Sequence, residues 1–325
     1  MTDYLSRLPS YLEMSAESPP EVVSALVIDD EFLSLGLDVD ATLGPFKSPD
    51  IAAHPAALNL HDSLEAVMST LRLPSLIAMM QVFEANEHAA TMEDLTDRLT
   101  RRLLTDYSDF DNKRGDRIKN FPRDRLVVET GKAIARLTSR TLAVPARELR
   151  WQGLVMTWGA FEVFARDFTQ TLLNREPSLA QQLIAVPESK KIFNVKNLDL
   201  TELIDYGFDL SKSLGTFLLE RADFSKIETV RFVLLTLFPL DEALRVAVLD
   251  PALWLLNQRR HLIVHKRGVV DAKYLKNTGD SLGIGESLAI KPVGVVDAVK
   301  TVANTGLRVV EAANRYTSPQ QAPPV

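Results

Sequence analysis

DPALWLLNQRRHLIVHKRG, Asp250 to Gly268, decides how this chain is read. It opens on an acid followed by proline. The acid caps the free N–H groups of a first helical turn, and proline needs no N–H there. It closes on Gly268, which takes the left-handed turn that ends a helix at no steric cost. Between them, Asn257, His261 and His265 fall four residues apart and form one polar stripe. Arg259, Arg260, Lys266 and Arg267 crowd around the apolar Leu262, Ile263 and Val264. A purely structural helix spreads such charge out. The stretch therefore predicts a helix and raises the question of phosphate chemistry.

Arg260 lies five residues before His265, roughly 140° around an ideal helix. Its long side chain covers part of that angle. Two copies facing each other close the rest, with arginine from one chain meeting histidine from the other. RNA carries its own nucleophile, the 2′-hydroxyl beside the phosphate. Its cleavage needs a proton carrier that titrates near neutrality, which imidazole provides. It also needs fixed positive charge on the phosphate, which the planar guanidinium fork supplies to two oxygens at once. Two plainer readings stand beside this one. Basic residues in a last helical turn complement the helix dipole, and paired histidines are common polar surface. His261-x-x-x-His265 also has the spacing of two zinc ligands, but no third acid matches, and Arg260, Lys266 and Arg267 repel a cation. No cofactor is expected.

The chain has 325 residues, a net charge of -6 and no cysteine. Its length allows one large domain or two modest ones. Disulfides and thiolate metal sites are excluded, in keeping with a cytoplasmic location. MTDYLSRLPSYLEM lacks the apolar run of a signal peptide. FVLLTLFPL, Phe232 to Leu240, is too short to span a bilayer, so no membrane partner is expected. Overall acidity argues against a surface that coats nucleic acid broadly and leaves room for local contact.

Helical periodicity dominates the rest. The opening, up to about Ala57, is rich in Pro, Ser and Asp and reads as a loose surface wrap. Apolar steps from Ser63 to Leu104, broken at Pro74, and a capped start at Thr91 predict N-terminal helices. Asp106 to Arg125 is charged and punctuated by Gly115 and Pro122, the pattern of a linker or exposed loop. A long helix is expected over Arg147–Leu173, with Leu154, Trp158, Phe161, Ala165, Phe168 and Leu172 on one face. Further helices are expected over Asp209–Arg221, Phe224–Phe238, Asp241–Val248 and Val295–Arg315. NTGDSLGIGESLAIKP, with its glycines and the Leu288-Ala289-Ile290 run, suggests a small hairpin. Trp151, Trp158 and Trp254 sit among apolar neighbours and read as core. The outcome is an all-α fold with one small β element.

RRHLIVHKRGVVDAKYL resembles the HEPN domain family. Arg260-x4-His265 fits its R-x(4–6)-H motif, with the polar His261 after the arginine. The wider string is similar to the R-[NH]-x-(I/V)-V-H-x-x-G-x-(V/I)-D pattern of the RiboL-PSP-like branch. The upstream WGAFEVFARDF helix, the hairpin and the last helix also look similar. The resemblance implies a HEPN-type helical bundle with a small β-hairpin over 143–316. Before it come a helical N-terminal region of unknown role, 1–125, and a connecting segment, 126–142; after it a disordered tail, 317–325. It further implies a metal-independent endoribonuclease of microbial antiviral defence or toxin–antitoxin and stress systems. The site is then composite across a homodimer, with an antitoxin or regulatory protein as a further partner. Arg260 holds the scissile phosphate, His265 is the acid–base residue and His261 a polar auxiliary. Asn257, Arg259, Lys266 and Arg267 are candidate RNA backbone contacts. Glu162 stands where some members carry an acid near the motif; otherwise it pairs with Arg166 at i,i+4. Some HEPN toxins have a tyrosine two residues after the histidine; this chain has Arg267 there. Loss of catalysis in some members makes a scaffold that binds RNA or a protein the alternative. A third arrangement has the N-terminal helices holding the effector inactive until triggered.

Overall fold

In the computed structural model, residues 40–74, 77, 143–194 and 200–317 are described. Contacts divide the chain into two compact units. One comprises Asp38–Met68 with Arg150–Val325, the other Met1–Leu37 with Ser69–Leu149. The first unit contains the Asp250–Gly268 stretch. That residues 38–68 belong with the C-terminal part is a partition no sequence signal announced.

Among the described residues the fold is helical and forms no strand. In chain order the helices are α1 (Asp40–Leu43), α2 (Pro49–Ala52), α3 (55–74), α4 (Ala143–Arg175), α5 (Pro177–Ala185), α6 (Ser189–Ile192), α7 (Leu214–Leu219), α8 (Ile227–Leu237), α9 (Glu242–Leu249), α10 (Pro251–Lys266), α11 (Ala272–Thr278) and α12 (Pro292–Thr317). None is long and apolar enough to cross a membrane. The expected helix at Thr91, the linker at Asp106–Arg125 and the tail beyond Thr317 lie outside the described residues.

Helix α4 forms the spine of the core. Its predicted face is buried throughout, from Leu154 and Trp158 to Phe168 and Leu172. Burying one such aromatic removes about 150–250 Å² from water, roughly 4–6 kcal/mol at 25 cal/mol/Å². Helix α12 packs along α9 and α10. Asp241 caps α9 by accepting from the Leu244 N–H at 2.9 Å, and Arg315 from the end of α12 donates to the same carboxylate at 2.6 Å.

The described part of the opening, residues 40–57, is not a loose wrap. Leu43, Phe46 and Ile51 are buried, and α1 and α2 pack on α12. The His54 ring meets Phe168 at 5.3 Å and bonds Asn314 at 2.8 Å. Prolines hold the first helical turns here, at Pro45 and Pro49, and the few apolar residues between them supply the burial. Within α3, Leu64, Val67, Met68 and Leu71 are buried as predicted.

The helix expected over Asp209–Arg221 shrinks to α7 because polar side chains capture the backbone first. Asp209 accepts from the Ser211 N–H at 2.9 Å, and the Ser213 hydroxyl donates to the Asp209 carbonyl. Such turns compete with helix. Asp223 likewise accepts from the Ser225 N–H, so α8 starts only at Ile227.

The hairpin expected over 277–292 reduces, among the described residues, to a single antiparallel bridge between Val269 and Ser287, and a helix that was not expected, α11, forms between the two bridged residues. Val270 donates to Glu286 and accepts from Gly285, both at 2.9 Å, and Leu288 donates to Gly268 at 2.8 Å. Asp271 caps α11 by accepting from the Tyr274 N–H at 2.8 Å, which commits the segment to a helix.

Candidate functional site

Helix α10 begins and ends as its sequence dictates. Asp250 accepts from the Ala252 N–H at 2.7 Å, and Pro251 holds the first helical position. Lys266 is the last helical residue. Arg267 at φ 53 and Gly268 at φ 70 then take the left-handed turn, and the Gly268 N–H closes back on Leu262 at 3.1 Å. The Trp151 ring lies against Gly268 so closely that a Cβ there would meet it at 2.4 Å. Trp151 Nε1 donates to the Leu288 carbonyl at 3.2 Å, which ties α4 to the helix stop and to the bridge behind it.

With its end fixed, α10 faces α11 and the start of α8 across an open cleft of about 770 Å³. Arg260, His261, His265 and Lys266 reach it from α10, Lys273 from α11, and Lys226 from the cap of α8. Lys226 is paired with Asp223 at 2.9 Å. Arg260, Lys266 and Lys273 have no ion pair among the described residues. These three cations surround two exposed imidazoles whose centroids lie 4.5 Å apart. Two acids line the cleft, Glu228 from the first turn of α8 and Asp271, whose side chain is also occupied in capping α11.

The His261 imidazole is held below its ordinary value of 6.5, first by partial desolvation, then by His265, Lys273 and Arg260; Asp271 opposes them. A neutral imidazole at His261 therefore prevails near neutrality, ready to accept a proton.

The other candidates are placed differently. Asn257 lines the cleft but is only 9% exposed, and it bonds the Ser225 carbonyl at 3.5 Å. Arg259 is half-buried near Tyr274, its Nε buried without a hydrogen-bond partner among the described residues, and it does not line the cleft. Arg267 is exposed in the cap, outside the cleft lining. Glu162 also stands apart from the cleft, and the i,i+4 pairing with Arg166 does not form: Arg166 donates to Asp167 at 3.2 Å instead. Trp151 and Trp158 are core, at 4% and 0% exposure, whereas Trp254 is half-buried and lines the cleft.

Sequence reading missed Lys226, Trp254, Gln258, Lys273 and Asn277 as cleft residues. Trp254 and Gln258 share the helical face of Asn257, His261 and His265, so that signal was present. The other three arrive from elements whose approach only the tertiary fold reveals. As to metals, the group of three ligating side chains that converges among the described residues is His61, Asp62 and Glu65 on α3, their ligand atoms within 4.8 Å.

No family model, no curated protein and no solved structure matches the chain.

Proposed function

We propose that this chain is a metal-independent endoribonuclease of the HEPN type, its helices forming that family's bundle and the Val269–Ser287 bridge standing for its hairpin. The observation that carries the reading is that Arg260 and His265 line one accessible cleft, with the His261 ring tilted against His265 and two unpaired lysines around them. In the reaction, the 2′-hydroxyl oxygen bonds to the adjacent phosphorus while the bond from phosphorus to the 5′-oxygen breaks. The products are a 2′,3′-cyclic phosphate and a 5′-hydroxyl end. One proton leaves the 2′-hydroxyl and one is delivered to the 5′-oxygen. His265, with His261 as auxiliary, exchanges these protons. Arg260 and the lysines hold the phosphate oxygens as charge builds in the transition state. Two chains pair so that Arg260 of one meets His265 of the other. Cytoplasmic action in microbial antiviral defence or toxin–antitoxin and stress responses, under an antitoxin or regulatory protein, follows from the resemblance.

The test is incubation of the purified chain with RNA in EDTA. We expect cleavage to survive the chelator. His265→Ala should lower its rate by about 10²–10⁴-fold, the usual worth of a general acid or base. Full activity in that variant sinks the role given to His265. A non-catalytic HEPN scaffold binding RNA or a protein is the second reading, favoured by the net charge of -6. Binding of RNA without cutting under every condition would support it.

A further inference from the structure

The stripe on α10 extends past the residues the proposed reaction needs. Trp254, Asn257, Gln258, His261 and His265 share one face over twelve residues, about 16 Å of helix axis. The unpaired cations gather toward the His265 end. The other end is walled by carboxamides.

We propose that this other end is a binding site for an unpaired nucleobase, read by the carboxamides of Gln258 and Asn277 beside the Trp254 ring. The inference rests on the RNA reading of the cleft and adds which part of the RNA this end accepts. The amides form a relay. Asn277 Nδ2 donates to Gln258 Oε1 at 2.9 Å, Gln258 Nε2 to Asn257 Oδ1 at 3.2 Å, and Asn257 Nδ2 to the Ser225 carbonyl at 3.5 Å. A primary amide has two N–H donors and one oxygen. The relay uses one N–H of each, so a second N–H on Gln258 and on Asn277, and the Asn277 carboxamide oxygen, keep their capacity among the described residues. Asn257 is the buried floor that fixes the orientation of the half-exposed Gln258 and Asn277. Oriented amides that offer donor and acceptor together match the edges of bases, and single-stranded RNA exposes those edges.

Trp254 is held in place on the same wall. Its Nε1 donates to the Asn277 carbonyl at 3.1 Å, and the Arg231 guanidinium lies 5.6 Å from its ring centroid. The half-buried indole thus presents a fixed aromatic surface next to the amides, the usual partner for a base. A base on this wall sets its own phosphate toward Arg260 and the imidazoles.

The experiment uses the full chain carrying His265→Ala, in EDTA, titrated with homopolymeric RNA pentamers of each base and with the abasic counterpart. Tryptophan emission is the readout, and Trp254 is the partly exposed tryptophan, since Trp151 and Trp158 are buried. At least one pentamer should bind about tenfold more tightly than the abasic chain and change the emission, in line with base stacking and amide contacts. Gln258→Ala and Asn277→Ala should each bring that ratio to about threefold or below; Asn277→Asp, which keeps the shape but exchanges donor for acceptor, should change which base binds best. Equal affinity for base-bearing and abasic chains overturns the proposal, as does unchanged discrimination in both alanine variants. Cleavage by the native chain without base discrimination sinks this site alone. Discrimination without cleavage sinks the nuclease reading alone, and no binding of any pentamer sinks both.

Discussion

Gly268 meets two demands at once: a positive φ, and a Cβ position already filled by the Trp151 ring. Gly268→Ala should therefore cost about 2–4 kcal/mol, combining left-handed strain with overpacking. Chemical denaturation would read this, and a loss below 1 kcal/mol on that scale would mean that Trp151 yields freely. His261 makes a different prediction. Its folded-state affinity for protons lies below the ordinary value of 6.5, so the unfolded chain binds the proton more readily. Stability is then complete above about pH 6.5 and falls as pH drops through the lowered folded value. His261→Gln should flatten the acid side of the stability profile below about pH 6.5, and superimposable profiles would remove the effect. The polar stripe itself was legible, because Asn257, His261 and His265 recur at helical spacing. Their unequal exposure was not: Asn257 lies against Ser225, which is 32 residues away.

At the scale of elements, the junction of α7 with α4 has no slack. A Cβ on Gly215 would lie 2.3 Å from the Gln170 carbonyl, a backbone atom that cannot rotate aside. Asn174 clamps the same junction, accepting from the Thr216 N–H at 3.1 Å and donating to its hydroxyl at 2.9 Å. Gly215→Ala should accordingly destabilise by about 1–3 kcal/mol, the range for overpacked sites, and lower the melting temperature. An unchanged melting temperature would show that α7 shifts without cost. Helix starts were readable at Asp241 and Asp250, where aspartate precedes a helix-forming run, but not at Asp271, which caps α11. Where the neighbouring serines offered aspartate a nearer partner, at Asp209 and Asp223, the turn won and the periodic pattern overstated the helix.

For the whole molecule, the proposed site depends on assembly. If Arg260 and His265 of a working site come from different chains, mixing inactive Arg260→Ala with inactive His265→Ala restores cutting. Random exchange yields half mixed dimers, each with one intact site of two, so recovery should approach about a quarter of native activity. No recovery after verified subunit exchange would place both residues of each site in one chain. Val264 and Val269, next to His265 and just past the end of α10, are exposed at 47% and 46% and lie outside the cleft lining.

The sequence by itself determined that the protein is helical, where α4, α9, α10 and α12 run, and that α10 carries an imidazole pair beside an arginine. Those properties depend on spacing, capping and side-chain chemistry, which are local and periodic. Only the tertiary structure decided that residues 40–68 close onto α4 and α12, that α11 forms between the bridged residues Val269 and Ser287, and that Lys273 and Asn277 face Arg260 and Gln258. These depend on which surfaces meet, and the energy of that choice comes from burial between segments far apart in the chain, which no local pattern encodes.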